Sequence, residues 1–185
     1  MSSSYKSFVV KEAIAWATGC HVNPAGHKLT KVEERVWGNR MIGQVDNSQW
    51  TTLVGEHVVF KVLQELGKNP TIPVKKGGYK PDIETDDHIY EVKTRNWNTT
   101  GTIGEKVFGC PLKYAEIPEL YGKPLRIICV AYQEEEFVYG KTPIFGTNVR
   151  DKHKKFMSFY RDNGIEFYRF SDFVEELEHR KLSDQ

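Results

Sequence analysis

The sequence has few cysteines, and their spacing predicts no covalent or metal framework. Cys20, Cys110 and Cys129 are far apart and form no CxxC pair, which argues against disulfides or a zinc ribbon and favours a reducing compartment. The first residues lack the apolar core of a signal peptide, and no apolar run approaches membrane length. We therefore expect a soluble, cytoplasmic protein with no membrane partner.

Two motifs of common hydrolases are also missing. There is no GxSxG nucleophile elbow, and Gly101-x-x-Gly104 has neither the lysine nor the spacing of a phosphate-binding loop. Neither charge sign dominates, because 26 Lys and Arg residues face 25 Asp and Glu residues in a chain of 185. A near-neutral total does not exclude a polyanionic partner, because acids in one part of a site can be balanced by bases around them.

The first fifty residues predict helices without an independent core. The apolar spacing over residues 5–18 is typical of a short amphipathic helix, and Thr30 with Glu33 forms a capping box that opens a second helix. We predict that residues 1–50 are a helical extension that contacts DNA or a second subunit, and that residues 51–185 form the core domain.

The remaining residues predict the alternating helices and strands of an α/β domain. A helix pattern runs from Thr51 to Leu66, a hairpin covers residues 80–93, and Leu125 to Tyr132 is typical of a buried strand. The other predicted elements are a short extended piece at 72–74, a helix from about Ile103 that Pro118 ends, a basic helix over 149–161, a strand over 165–170 and a last helix capped by Ser171.

The predicted hairpin carries the most informative residues, with Asp82 before its turn and Glu91 and Lys93 after it. Because side chains alternate along a strand, Glu91 and Lys93 project from one face and Val92 from the other. Two carboxylates beside a lysine suit a divalent metal, typically Mg²⁺, that binds a phosphate and lowers the pKa of an attacking water. The alternative is a surface hairpin with a solvated ion pair.

Glu56 adds a third carboxylate to this pattern. Its spacing from Val59, Phe60 and Leu63 places it on or beside the buried stripe of the helix. A carboxylate that points inward needs a partner, which a metal or Lys93 would supply. The alternative is that Glu56 only complements the dipole at the N-terminal end of the helix.

Glu56, Pro81-Asp82 and Glu91-Val92-Lys93 together resemble the motif of the PD-(D/E)XK nucleases, the restriction-endonuclease-like superfamily, over roughly residues 51–180. The resemblance implies a central mixed four-stranded sheet flanked by helices, and nucleic-acid cleavage that depends on Mg²⁺, with Mn²⁺ as a substitute. It implies Asp82 and Glu91 as metal ligands, Lys93 as the residue that positions or activates water, and Glu56 as the additional acid. The first fifty residues have no counterpart in the shared core.

Polar and basic residues beyond Lys93 predict DNA contacts, since such side chains bind phosphates or base edges and an aromatic ring can stack. The predicted contacts are Arg95, Asn96, Trp97, Asn98, Lys106, Lys113, Lys152, Lys154 and Lys155. The alternatives are a polar loop in which Trp97 packs on the domain, and helical lysines that are merely solvated.

These patterns favour a Mg²⁺-dependent endonuclease that hydrolyses double-stranded DNA. By fold-level analogy we expect a type II restriction endonuclease that acts as a homodimer on a short palindrome, because a two-fold protein matches a two-fold site. The alternatives are a structure-selective nuclease such as a junction resolvase or repair nuclease, a homing endonuclease, and a DNA-binding module without catalysis.

Overall fold

A mixed sheet lies between two layers of helices in a computed structural model that describes residues 10–20, 22, 25–99 and 102–183. Strand β1 (Ile83–Glu84) pairs antiparallel with β2 (Ile89–Arg95), whereas β3 (Leu125–Ala131) and β4 (Ile165–Arg169) continue the sheet in parallel. The strand order is β1-β2-β3-β4. The prediction of an α/β domain with a mixed four-stranded sheet flanked by helices is confirmed.

Helices precede, separate and follow the strands. Their bounds are α1 (Val10–Ala17), α2 (Lys31–Met41), α3 (Trp50–Glu65), α4 (Cys110–Lys113), α5 (Ile117–Tyr121), α6 (Tyr132–Tyr139), α7 (Asp151–Asp162) and α8 (Phe170–Ser183), with a 3₁₀ helix over Thr102–Gly109. In the described part of the chain, no helix has the length and apolar character that a membrane span requires.

The sheet buries a separate core on each face, because neighbouring strand residues point to opposite sides. Ile128 packs towards α1, α3 and α8, whereas Ile127 packs towards Tyr121 of α5 and Phe137 of α6. Each of these apolar side chains contributes about 1.5–3 kcal/mol when fully buried. The two cores hold the functional elements against both faces of β2.

The N-terminal helices α1 and α2 both pack against α3. The Trp16 ring lies 5.1 Å from that of Trp37 and 6.0 Å from that of Trp50, between centroids. The predicted capping box at the start of α2 is confirmed, since Thr30 N–H donates to Glu33 and Glu33 N–H donates to the Thr30 hydroxyl. Of the helix predicted over 5–18, residues 5–9 lie outside the described residues.

Two predictions around the hairpin were wrong. Residues 72–74 form no strand; instead, Thr71 makes an isolated bridge with Glu84. Pro118 does not end a helix but lies in the first turn of α5, where its missing N–H breaks no helical hydrogen bond. The single helix predicted from Ile103 is therefore a 3₁₀ helix followed by two short α-helices.

The region after β3 also differs from the prediction. Ala131 ends the strand with φ 58°, a conformation that residues with a side chain seldom adopt, and α6 begins at the next residue. Ser171 does not cap α8 from outside, because it lies within the first turn. Its N–H and hydroxyl both donate to the carboxylate of Glu134, which supplies the cap instead.

Candidate active site

The β1–β2 hairpin places Asp82 across from Glu91. Ile83 pairs with Tyr90 and Glu84 with Ile89, and the Asp82 N–H extends this ladder by donating to the Tyr90 carbonyl at 3.2 Å. Residues directly opposite each other on antiparallel strands have Cβ atoms about 4.5–5.5 Å apart. One Asp82 oxygen also accepts the Val92 N–H at 2.7 Å, which fixes the carboxylate beside β2.

The Glu91 carboxylate is only 4% exposed and its two oxygens have different surroundings. Oε1 accepts from Lys93 Nζ at 2.5 Å and from the Tyr114 hydroxyl at 2.6 Å. Oε2 is buried, and no donor reaches it from the residues that the structure describes. A buried carboxylate oxygen without a donor is costly, so this atom is a natural ligand for a cation.

Glu56 approaches the same site from α3. The helix contacts β2 closely at Gly55, where a Cβ would lie 1.7 Å from Thr94 Oγ1. Glu56 is the next residue, and burial together with the charge of Glu91 raises its pKa, while Lys93 lowers it. The side chain predicted to face inward is therefore half-buried and within electrostatic reach of Glu91 and Lys93.

The carboxylates repel one another. Burial and the charges of Glu91 and Glu56 raise the pKa of Asp82 to about 7, although the Val92 N–H and Lys93 lower it. Burial alone would lower the pKa of Lys93, but the charge and hydrogen bond of Glu91 raise it, so Lys93 stays an ammonium at neutral pH. One ammonium faces three acids, which leaves the site with excess negative charge.

A divalent cation fits this excess charge. Mg²⁺ typically takes one or two carboxylates and keeps several waters, and Asp82 and Glu91 could supply two oxygens. Among the described residues, no group of three or more His, Cys, Asp or Glu side chains is gathered closely enough to hold a metal. The geometry thus favours two protein ligands, and the role of Glu56 as a third stays a prediction.

Three lysines surround an open cleft of about 400 Å³ beside this hairpin. Lys93, Lys106 and Lys113 all line it, and the last two are exposed. Lys106 and Lys113 come from the 3₁₀ helix and from α4, so separate elements bring positive charge to one place. Of the predicted DNA contacts, these two are the ones that share a cleft with Lys93.

The end of β2 and the loop after it make contacts within the domain. Arg95 is 4% exposed, pairs with Glu136 at 2.6 Å and lies over the Tyr132 ring at 4.9 Å. Asn96 donates to the Thr51 hydroxyl at 3.3 Å. Arg95 thus makes its contacts inside the domain, and we do not include it among the proposed DNA contacts.

Glu34 of α2 connects the rest of this loop to the N-terminal helices by hydrogen bonds. This carboxylate is 1% exposed and accepts from Trp16 Nε1, from the Trp97 N–H and from Asn98 Nδ2 at 2.7–3.0 Å. Trp97 Nε1 also donates to the Trp16 carbonyl. Trp97 thus packs on the domain, which was the alternative to a DNA-stacking role.

The basic helix contributes no residue to the lining of the cleft. Lys152, Lys154 and Lys155 are exposed on α7, which packs against β4, the edge strand opposite the β1–β2 hairpin. Lys154 pairs with Asp151 at 3.3 Å, and both side chains are well exposed. Contact between these lysines and DNA stays a prediction.

Several residues of the cleft were not predicted from the sequence. Tyr114 hydrogen-bonds to Glu91, while Cys110 and Gln133 line the cleft beside Lys93. Tyr114 lies 23 residues beyond Glu91 in an irregular stretch of short helices, so no periodic pattern relates the two. The only local signal is the neighbouring pair Lys113-Tyr114, which is too common to single out a site.

Comparisons of the chain with protein-family models, with curated protein sequences and with solved structures find no match. The function of this chain is therefore inferred from the geometry of the site.

Proposed function

We propose that this chain is a Mg²⁺-dependent endonuclease that hydrolyses phosphodiester bonds in double-stranded DNA. The observation that carries the proposal is the juxtaposition of Asp82 and Glu91, with Glu91 Oε2 buried and unpartnered among the described residues, beside Lys93. Such a set of groups is unfavourable for stability alone but suits a cation and a phosphate.

Asp82 and Glu91 would hold the metal. When bound, Mg²⁺ neutralises charge that develops on the phosphate and lowers the pKa of a water that attacks it. The Val92 N–H keeps the Asp82 carboxylate in place, and Lys93 with Tyr114 does so for Glu91. A carboxylate held by fixed donors loses little freedom when a ligand arrives.

The lysines of the cleft support a polyanionic substrate. Lys93 is an ammonium at the edge of the carboxylate site and can donate to a phosphate oxygen. Lys106 and Lys113 extend positive charge along the cleft, where adjacent phosphates of the same strand would lie. Acids on the hairpin beside a cleft lined by lysines agree with the near-neutral composition.

We further propose that the sheet and helices form a restriction-endonuclease-like core and that the enzyme is a type II restriction endonuclease acting as a homodimer. The mixed four-stranded sheet, with the acids on its hairpin and α3 behind them, supports the first part. The second part is an analogy with enzymes that cut palindromic sites.

Digestion of plasmid DNA by the purified protein in Mg²⁺, followed by sequencing of the new ends, tests both parts. A restriction endonuclease gives discrete fragments with one sequence at every end. Cleavage limited to branched or mismatched DNA would overturn the restriction assignment but keep the nuclease. DNA that is bound yet never cut would indicate a binding module.

A further inference from the structure

Tyr114 contacts the candidate site but has no place in the motif that predicted it. Its side chain is 8% exposed, and its hydroxyl lies 2.6 Å from Glu91 Oε1 and 2.8 Å from Lys113 Nζ. Two of the three cleft lysines also lie over its ring, with Nζ at 4.5 Å from the centroid for Lys113 and 5.8 Å for Lys93.

The direction of these hydrogen bonds follows from the groups themselves. A lysine ammonium has donors and no acceptor, so Lys113 must donate to the Tyr114 oxygen. The phenol proton is then directed to Glu91, which as a carboxylate can only accept. Lys93 likewise donates to Glu91 Oε1. Both donors therefore converge on one oxygen, and Oε2 is left without a donor from the described residues.

We propose that Tyr114 is a positioning residue that, with Lys113 behind it, orients Glu91 so that Oε2 is presented to the cation. The inference depends on the proposed metal-dependent nuclease. Tyr114 lines the cleft, but its hydroxyl is engaged by Glu91 and Lys113, so its effect on the metal is exerted through the Glu91 carboxylate. Lys113 thereby has a second role besides its position in the DNA cleft, since it fixes the hydroxyl that holds a metal ligand.

The test compares two single-atom changes of the same kind. Tyr114→Phe removes only the hydroxyl and keeps the ring that packs against Tyr79. Tyr121→Phe is the matched control, because the Tyr121 hydroxyl is also hydrogen-bonded, but to the carbonyls of Val74 and Tyr79 and not to Asp82 or Glu91. Mg²⁺ affinity is measured by calorimetry on the purified full chain, alongside the Mg²⁺ dependence of DNA cleavage and DNA affinity in EDTA.

We expect Tyr114→Phe to weaken Mg²⁺ binding about tenfold, the lower end of the effect of losing a group that orients a metal ligand. The Mg²⁺ concentration for half-maximal cleavage should rise by the same factor, with DNA affinity in EDTA changed less than twofold. Tyr121→Phe should leave Mg²⁺ affinity unchanged. If Tyr114→Phe does not fold, as judged by circular dichroism, Lys113→Met serves in its place, with a smaller weakening of Mg²⁺ binding expected.

The outcomes separate this inference from the function on which it rests. Wild-type protein that binds Mg²⁺ and cuts DNA, with a Tyr114→Phe variant of equal Mg²⁺ affinity, overturns the positioning role and leaves the nuclease intact. Equal losses of Mg²⁺ affinity in Tyr114→Phe and Tyr121→Phe would also overturn it, since the effect would then be general destabilisation. Wild-type protein that neither binds Mg²⁺ nor cuts any DNA overturns both proposals.

Discussion

Replacing Asp82 with Asn should make the metal-free protein more stable. The pKa of Asp82 rises from an ordinary value of 3.8 to about 7 in the folded chain. The unfolded chain thus releases this proton near pH 4, whereas the folded protein holds it until about pH 7. Stability is therefore lost as the pH rises through this window, and the loss is complete above pH 7.

The size of the effect follows from the same values. Each pKa unit corresponds to about 1.4 kcal/mol, so ionised Asp82 lowers the free energy of unfolding by up to about 4 kcal/mol at pH 8. Asn has the same shape and keeps an oxygen that can accept the Val92 N–H. We expect Asp82→Asn to gain about 2–4 kcal/mol at pH 8, and almost nothing at pH 4, where folded Asp82 is neutral.

Urea denaturation in EDTA at several pH values between 4 and 8 measures this gain. Asp87→Asn is the control of opposite sign: burial alone would raise the pKa of Asp87, but hydrogen bonds with Thr85 and His88 lower it to about 2. That variant should be less stable than wild type at pH 8 and nearly as much so at pH 4, because folded Asp87 keeps its charge until about pH 2. An Asp82→Asn variant no more stable than wild type at pH 8 would refute the raised pKa of Asp82 and the burial and repulsion that cause it.

Two further predictions concern the elements that support the site. Glu34→Ala should lower the free energy of unfolding by about 3 kcal/mol or more in urea, because three donors lose a buried acceptor. Glu33→Ala, which removes the acceptor of the Thr30 N–H in an exposed capping box, should lower it by about 1 kcal/mol. Gly55→Ala should lower the free energy of unfolding by about 1–3 kcal/mol, because its Cβ would overlap Thr94. Gly109→Ala should leave the stability almost unchanged, because the space around Gly109 is open. Equal melting temperatures of these two variants would contradict the close contact of α3 with β2.

The hairpin and its acids could be predicted because strand geometry is local. Alternation alone placed Glu91 and Lys93 on one face, and a short turn placed Asp82 across from them. The inward position of Glu56 followed from helical spacing in the same way. These residues are close together in the sequence or recur at a regular helical or strand period. Their relative positions in the structure can therefore be predicted from the spacing alone.

Contacts that depend on packing between distant segments were not predictable. Arg95 and Trp97 have the composition of a DNA-contact loop, yet their side chains bind partners 41 and 81 residues away, Glu136 and the Trp16 carbonyl. Helix α6 was missed because Ala131 turns the chain at φ 58° without the glycine that usually marks such a position. Tyr114 meets Glu91 only once α4 is packed against the sheet.

The most direct test of the metal-dependent nuclease is cleavage of plasmid DNA by wild-type protein and by Asp82→Ala, Glu91→Ala and Lys93→Ala, each checked for folding by circular dichroism. In Mg²⁺ the wild type should cut the DNA, and the three folded variants should lose cleavage while DNA binding in EDTA persists. Wild-type protein that leaves every DNA uncut, or a Glu91→Ala variant that cuts as fast as wild type, would contradict the assignment of the site.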